Sequence, residues 1–261
     1  GGGGVEVERE CPSTKTKADE LVDIGRVLTK ERRMEEARSC FKRAAAANPR
    51  YVPGLLEAGQ SAIVEEKYRE AIRLYAAALK IEVTAPALNN MAIAYHQMGS
   101  HVDSVAIYKR IIKMDEDDPT NYYNLGTAYE AAKSYKDAAK AYRQAIELEP
   151  EEAKYYNNLG GCLQALNKTE TAERSYKWAI KIDKRYGEAY YNLGNFLLGS
   201  GRVEEALEIL DKCIKMKPEH ANCLRKHGEA KKALEEKAEA FKSQIDEAIE
   251  KAEKMRSRGE L

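Results

Sequence analysis

The sequence predicts an all-α fold, a solenoid of stacked helix pairs, on three observations. A small residue recurs at Gly25, Gly59, Ala92, Gly126, Gly160, Gly194 and Gly228, in steps of 34, 33, 34, 34, 34 and 34 residues. Around each of these, apolar residues are spaced three, four and seven apart, the period of one helix face. Pro49, Pro150 and Pro218 close three of the units, where a fixed φ and a missing N–H stop a helix. A fixed period in this range means one supersecondary unit repeated, each burying its apolar face against the next.

Residues 1–17 open on GGGG and hold no apolar core of a signal peptide. They are expected to form a flexible lead-in, the cut end of a longer protein or an expression scar. Six units are then expected at 18–51, 52–84, 85–118, 119–152, 153–186 and 187–220. Let the recurring small residue be position 8. In the first helix, position 4 reads Leu21, Leu55, Leu88, Tyr122, Tyr156 and Tyr190, and position 7 reads Ile24, Ala58, Met91, Leu125, Leu159 and Leu193. In the second helix, position 20 reads Ala37, Ala71, Ser104, Ala138, Ala172 and Ala206. Position 24 is large, with Phe41, Tyr75, Tyr108, Tyr142, Tyr176 and Leu210. Small residues let two helices approach closely, and the large ones fill the space beside them.

A seventh unit begins at Leu224 and Gly228 but carries His227 and Lys231 at core positions and lacks a turn. One long helix over 221–257 is expected instead, a cap for the stack, with a tail at 258–261. Thirteen helices are predicted in all. The last one carries a stripe at Leu234, Ala238, Phe241, Ile245, Ala248, Ala252 and Met255, a heptad seam diluted by alanine. Packing back onto the last unit is the preferred reading of that seam, and contact with a partner or a second copy is the other.

Composition narrows the function. Lys plus Arg and Asp plus Glu each number 43, so no global field draws the chain to nucleic acid or to an anionic membrane. No apolar run is long enough for membrane insertion. Five scattered cysteines (Cys11, Cys40, Cys162, Cys213 and Cys223) without a secretory signal are expected to be reduced thiols in a cytoplasmic protein. No phosphate loop, dinucleotide fingerprint, nucleophile elbow or zinc-protease motif occurs, so no catalytic residue and no cofactor is expected. Cys213, His220, Cys223 and His227 fall together, but their spacing fits no familiar zinc pattern and two of them occupy core positions, so no metal is expected. Glu65, Glu66 and Asp115 to Asp118 fall at turns and helix ends, where carboxylates cap or face water.

The pattern of small residues at 8, 20 and 27 with large ones at 4, 11 and 24 resembles the tetratricopeptide repeat family over residues 18–220. Ile111 replaces the family's small residue at position 27, and Val83, Glu116 and Lys184 stand where its proline is usual. The resemblance implies a right-handed superhelix whose first helices line a concave groove, and a protein or peptide partner held there. The pairs of residues by which some members clamp acidic chaperone tails, lysine at position 5 with asparagine at position 9, do not occur.

The candidate binding residues lie opposite the core stripe. Position 6 reads Asn90, Asn124, Asn158 and Asn192 in the last four units, and position 5 reads Asn89, Tyr123, Asn157 and Tyr191. Asn costs about 0.5 kcal/mol more than Lys, Glu or Gln at a helical site, so a stacked set implies some recovery of that loss. An amide can pair with both the C=O and the N–H of an extended peptide. The set resembles the asparagine ladder of the repeats in O-linked N-acetylglucosamine transferase. The competing reading is that the amides bond one repeat to the next. Leu56, Ile63, Val64 and Ile93 put apolar side chains on the same side, either a pocket for a hydrophobic anchor or a surface covered by residues 1–17. The function expected is a non-catalytic scaffold or adaptor for an extended peptide or partner helix. The alternatives are a permanent subunit of a large assembly and the regulatory domain of a larger enzyme.

Overall fold

The structure, a computed structural model, describes residue 11 and residues 16–257. The flexible lead-in, apart from Cys11 and residues 16 and 17, and the tail at 258–261 lie outside the described residues. Among the described residues there are thirteen helices and no strand. The chain divides into two compact units, Gly1–Leu148 and Glu149–Leu261.

The first unit holds four helix pairs: α1 (Ala18–Lys30) with α2 (Met34–Ala47), α3 (Val52–Val64) with α4 (Tyr68–Ile81), α5 (Ala85–Gln97) with α6 (His101–Ile112), and α7 (Pro119–Ala131) with α8 (Tyr135–Leu148). Each helix packs on the next, and α1 also touches α3 while α3 touches α5. The first helices of the pairs therefore approach one another more closely than the second helices do. The second unit holds α9 (Ala153–Ala165) with α10 (Thr169–Ile182) and α11 (Gly187–Gly199) with α12 (Val203–Met216), followed by α13 (Ala221–Ser257). Here α9 touches α11, and α11 touches α13.

The recurring small residue has a steric cause. A Cβ built on Gly126 would lie 2.5 Å from Cε1 of Tyr142, and one on Gly59 would lie 2.6 Å from Cε1 of Tyr75. The position-24 side chain of the second helix occupies the space that a Cβ on the first would need, so a bare Cα is what brings the pair into contact. Gly228 has nothing within 4 Å of such a Cβ. The phrase survives there without its partner ring, and the chain runs on as one helix.

The turn inside each pair is also uniform. Seven residues after the small residue of each of the six pairs the backbone is left-handed, at Arg32, Glu66, Gly99, Lys133, Asn167 and Gly201, with φ between 57° and 82°. In α7 this closes the helix with Lys133 N–H on the Glu130 carbonyl and Ser134 N–H on the Tyr129 carbonyl, each at 2.8 Å. These are the two bonds that satisfy the last free carbonyls of a helix.

Two expectations are corrected. Four of the five cysteines are paired in disulfides, Cys11 with Cys40 and Cys213 with Cys223, and only Cys162 is a free thiol, buried in α9. The scattered sequence positions hide Cα separations of 5.5 and 6.3 Å, which a disulfide spans. Cys11 packs against the cluster of Leu21, Val22, Cys40 and Phe41, which ties one point of the N-terminal segment to α2. The heptad seam does not fold back along its length. Cys223, Ala230, Ala233 and Leu234 join the core of the last pair, whereas Ala238, Phe241, Ile245, Ala248 and Ala252 are exposed and Met255 half-exposed. A straight helix leaves the body once it outruns the width of the pair it rests on.

Candidate functional site

In the first unit, Asn89 and Asn90 sit on α5, and Tyr123 and Asn124 on α7, all half-buried. Positions 5 and 6 lie off the core stripe of positions 4, 7, 8 and 11, although Tyr123 still reaches a ring of α8. The side-chain amides of Asn89, Asn90 and Asn124 have no hydrogen-bond partner among the described residues. The Tyr123 ring rests tilted against Tyr142 with centroids 5.8 Å apart, so it is braced by its own pair. Earlier in the unit, Arg26 Nε of α1 donates to Glu57 Oε1 of α3 at 2.8 Å, which raises the guanidinium pKa. The four helix pairs of this unit thus differ along this face, an ion pair between the first two followed by open amides in the third and fourth.

The second unit uses the same residue type differently. Asn157 on α9 is 6% exposed. Its Oδ1 accepts from Asn192 Nδ2 of α11 at 2.9 Å, and its Nδ2 donates to Asn158 Oδ1 at 3.2 Å. The three amides form a directed chain that joins consecutive first helices. Tyr191 packs into the cluster of Tyr190, Val203 and Leu210. The predicted set is therefore split by environment, with open amides in the first unit and an interhelical tie in the second.

The four apolar candidates do not form one pocket. Leu56 and Ile63 are half-buried against Ala62, Ala71, Tyr75 and Ala94, so they extend the core. Ile93 is half-buried on α5. Val64, 61% exposed, lines a cleft of about 270 Å³ among α1, α2 and α3 with Thr29, Met34, Phe41, Gln60 and Arg38. Of the residues lining this cleft, the sequence candidates included Val64 alone. The signal of the cleft was Met34, where four of the other five units carry Tyr68, His101, Tyr135 and Thr169, and Val64, where none of the others carries a large apolar residue. Beside it, Glu65 accepts from Lys42 at 2.6 Å and from Lys67 at 2.6 Å, and these two ammonium groups hold its carboxyl down at about 2.

Of the cysteine and histidine cluster, the ligand atoms of Cys213, His220 and Cys223 lie within 4.8 Å of one another. The two sulfurs are bonded to each other, His220 Nδ1 accepts from the Cys223 N–H at 3.3 Å, and His227 turns away to Asp211 at 2.8 Å. The cluster therefore joins α12 to the start of α13. Among the described residues no helix is long and apolar enough to cross a membrane.

Family profiles described as tetratricopeptide repeat match residues 83–151, residues 21–51 and 187–220, and residues 141–174. Together with the paired helices and the glycine–aromatic contacts, these matches show that the chain belongs to the tetratricopeptide repeat family. No curated protein matches the sequence. Among solved structures, a tetratricopeptide repeat protein from Parabacteroides merdae is similar with a TM-score of 0.71 at 19% identity, over 85% of this chain and 88% of that one. YrrB, a TPR protein with an unusual peptide-binding site, is similar with a TM-score of 0.53 at 21% identity, over 71% of this chain and 96% of that one. A chain of the APC/C hetero-tetramer Cut9-Hcn1 is similar with a TM-score of 0.60 at 17% identity, over 82% of this chain but only 42% of that one. At these identities the likeness is one of fold.

Proposed function

We propose that this chain is a protein-interaction scaffold that takes an extended peptide along the first-helix face of its first unit. The observation that carries the reading is the set of half-buried amides of Asn89, Asn90 and Asn124, which lack a partner among the described residues. Each amide offers one donor and one acceptor group, the pairing needed for a peptide backbone in any sequence. Tyr123, braced by Tyr142, supplies a rigid amphipathic surface beside them. The cleft lined by Met34, Phe41 and Val64 would take an apolar side chain of the same peptide or of another partner. Repeats of this family, and the likeness in fold to YrrB, a TPR protein with an unusual peptide-binding site, support the general reading. A second reading, a permanent subunit of a larger assembly, is favoured by the exposed Phe241, Ile245 and Ile249 of α13.

A peptide-display selection against the full chain tests the first reading. Selected peptides should lose about tenfold in affinity on Asn90→Ala or Asn124→Ala, the effect of one lost hydrogen bond to a desolvated group. Failure to select any peptide, or peptides indifferent to both substitutions, would leave the subunit reading ahead.

A further inference from the structure

The last part of α13 projects without a partner. Leu234 is the last seam residue in the core, and Lys237 Nζ, which donates to Glu204 of α12 at 2.7 Å, makes the last described contact with the body. Beyond it Phe241 is 65% exposed, Ile245 43% and Ile249 52%. Over roughly 30 Å of helix, apolar residues continue at heptad spacing toward solvent. The order of large and small residues on that seam says what fits it.

In a parallel pair of two copies, each seam residue meets itself. Ala238, Ala248 and Ala252 would face alanine, and Phe241, Ile245 and Met255 would face their own kind, so voids alternate with crowded layers. The flanks would also set Lys237 against Lys242 of the second copy, and Lys251 against Arg256, all positive. An antiparallel pair centred between Ile245 and Ala248 behaves differently. Ala238 then faces Met255 of the second copy, Phe241 faces Ala252, and Ile245 faces Ala248, with the same three layers repeated by symmetry. Every layer joins one large residue to one alanine. Glu235 lies beside Arg256 of the second copy, a pair of opposite charge. The register brings Ser257 of the second copy level with Glu236, one residue inside Lys237, so the overlap runs along the free length of α13 up to its last contact with the body. A twofold axis through the centre makes the two surfaces identical, the commonest form of self-association.

We propose that residues 236–257 form an antiparallel two-helix coil with the same segment of a second copy. This goes beyond the peptide-binding reading and does not depend on it. With alanine at half of the seam positions, association should be weak and concentration-dependent.

Sedimentation equilibrium of the full chain should show the mass rising with concentration from 29.3 kDa toward twice that value. Phe241→Asp should hold the chain at the single mass with an unchanged melting temperature. Orientation is read by cross-linking: Ala238→Cys and Met255→Cys variants should link to each other when mixed, and neither should link to itself. A chain that stays single at every concentration overturns the proposal, as does a dimer that survives Phe241→Asp. Self-linking of the Ala238→Cys variant would establish a parallel pair and overturn it as well. Peptide capture by the first unit should be unchanged in Phe241→Asp, so the two readings fail separately.

Discussion

Asn192 donates through Nδ2 to Asn157 Oδ1 at 2.9 Å, and Asn157 is buried while it does so. The same asparagine pattern in the first unit makes no such bond. Asn157→Ala should therefore lower stability by about 1–2 kcal/mol, because it strands the Asn192 amide and removes two hydrogen bonds. Asn124→Ala should leave stability unchanged or raise it by up to about 0.7 kcal/mol, alanine being the better helix former. Urea melts of the two variants decide the matter, and equal losses at both sites would contradict the open state of Asn124.

A second contrast lies under the first-helix face. Tyr142 donates through Oη to Glu130 at 2.8 Å, and Tyr176 to Gln164 at 2.9 Å, each to the residue twelve earlier. Tyr75 is equally placed, but Ile63 stands twelve residues before it, and its buried hydroxyl has no partner among the described residues. Burial raises the Tyr75 phenol above its ordinary value. Tyr142→Phe should cost about 1 kcal/mol, since it removes a made bond. Tyr75→Phe should be neutral or stabilising, since it removes an unpaired buried group. A loss at Tyr75 as large as that at Tyr142 would mean its hydroxyl is served after all.

The left-handed turn gives a third test. Gly201 has φ of 75° and nothing within 4 Å of an added Cβ, so Gly201→Ala should cost about 1 kcal/mol through backbone strain alone. Lys133 adopts φ of 58°, and Lys133→Gly should gain roughly 0.5–1 kcal/mol at the same point of its own pair. Gly126→Ala, where an added Cβ meets the Tyr142 ring at 2.5 Å, should cost about 1–3 kcal/mol by overpacking instead. Thermal melts should order the three as gain, moderate loss and larger loss.

These residues also mark what the sequence made legible. The glycine at position 8 and the ring at position 24 could be read because steric exclusion leaves few alternatives at close helix contact. The turn seven residues downstream of position 8 could not be read as left-handed, since Arg32, Glu66, Lys133 and Asn167 occupy it as well as two glycines. Tertiary packing imposes that conformation against local preference. The asparagines were recognisable as a set, yet one residue type serves two environments, and only the approach of α9 to α11 distinguishes them. The cysteine pairs were illegible because Cys11 and Cys40 are 29 residues apart, with a whole helix and a turn between them.

Acid sensitivity should reside partly in Glu65. Its carboxylate, at the end of α3, accepts from Lys42 of α2 at 2.6 and 2.8 Å and from Lys67 at 2.6 Å. The hydrogen bond from Lys42, then that from Lys67, lowers its pKa from the ordinary 4.5 to about 2. A carboxyl whose folded pKa lies below its unfolded one binds fewer protons when folded. Its stabilising contribution is complete above about 4.5 and is lost as pH falls toward 2. Glu65→Gln cannot ionise, so its stability should fall less steeply than that of the parent across that window, while the two curves run parallel at neutral pH. The group lies near the surface, and raised salt should shrink the difference. Urea melts at intervals between pH 5 and pH 2 give the slopes, and identical acid limbs for the two proteins would remove Glu65 from the account.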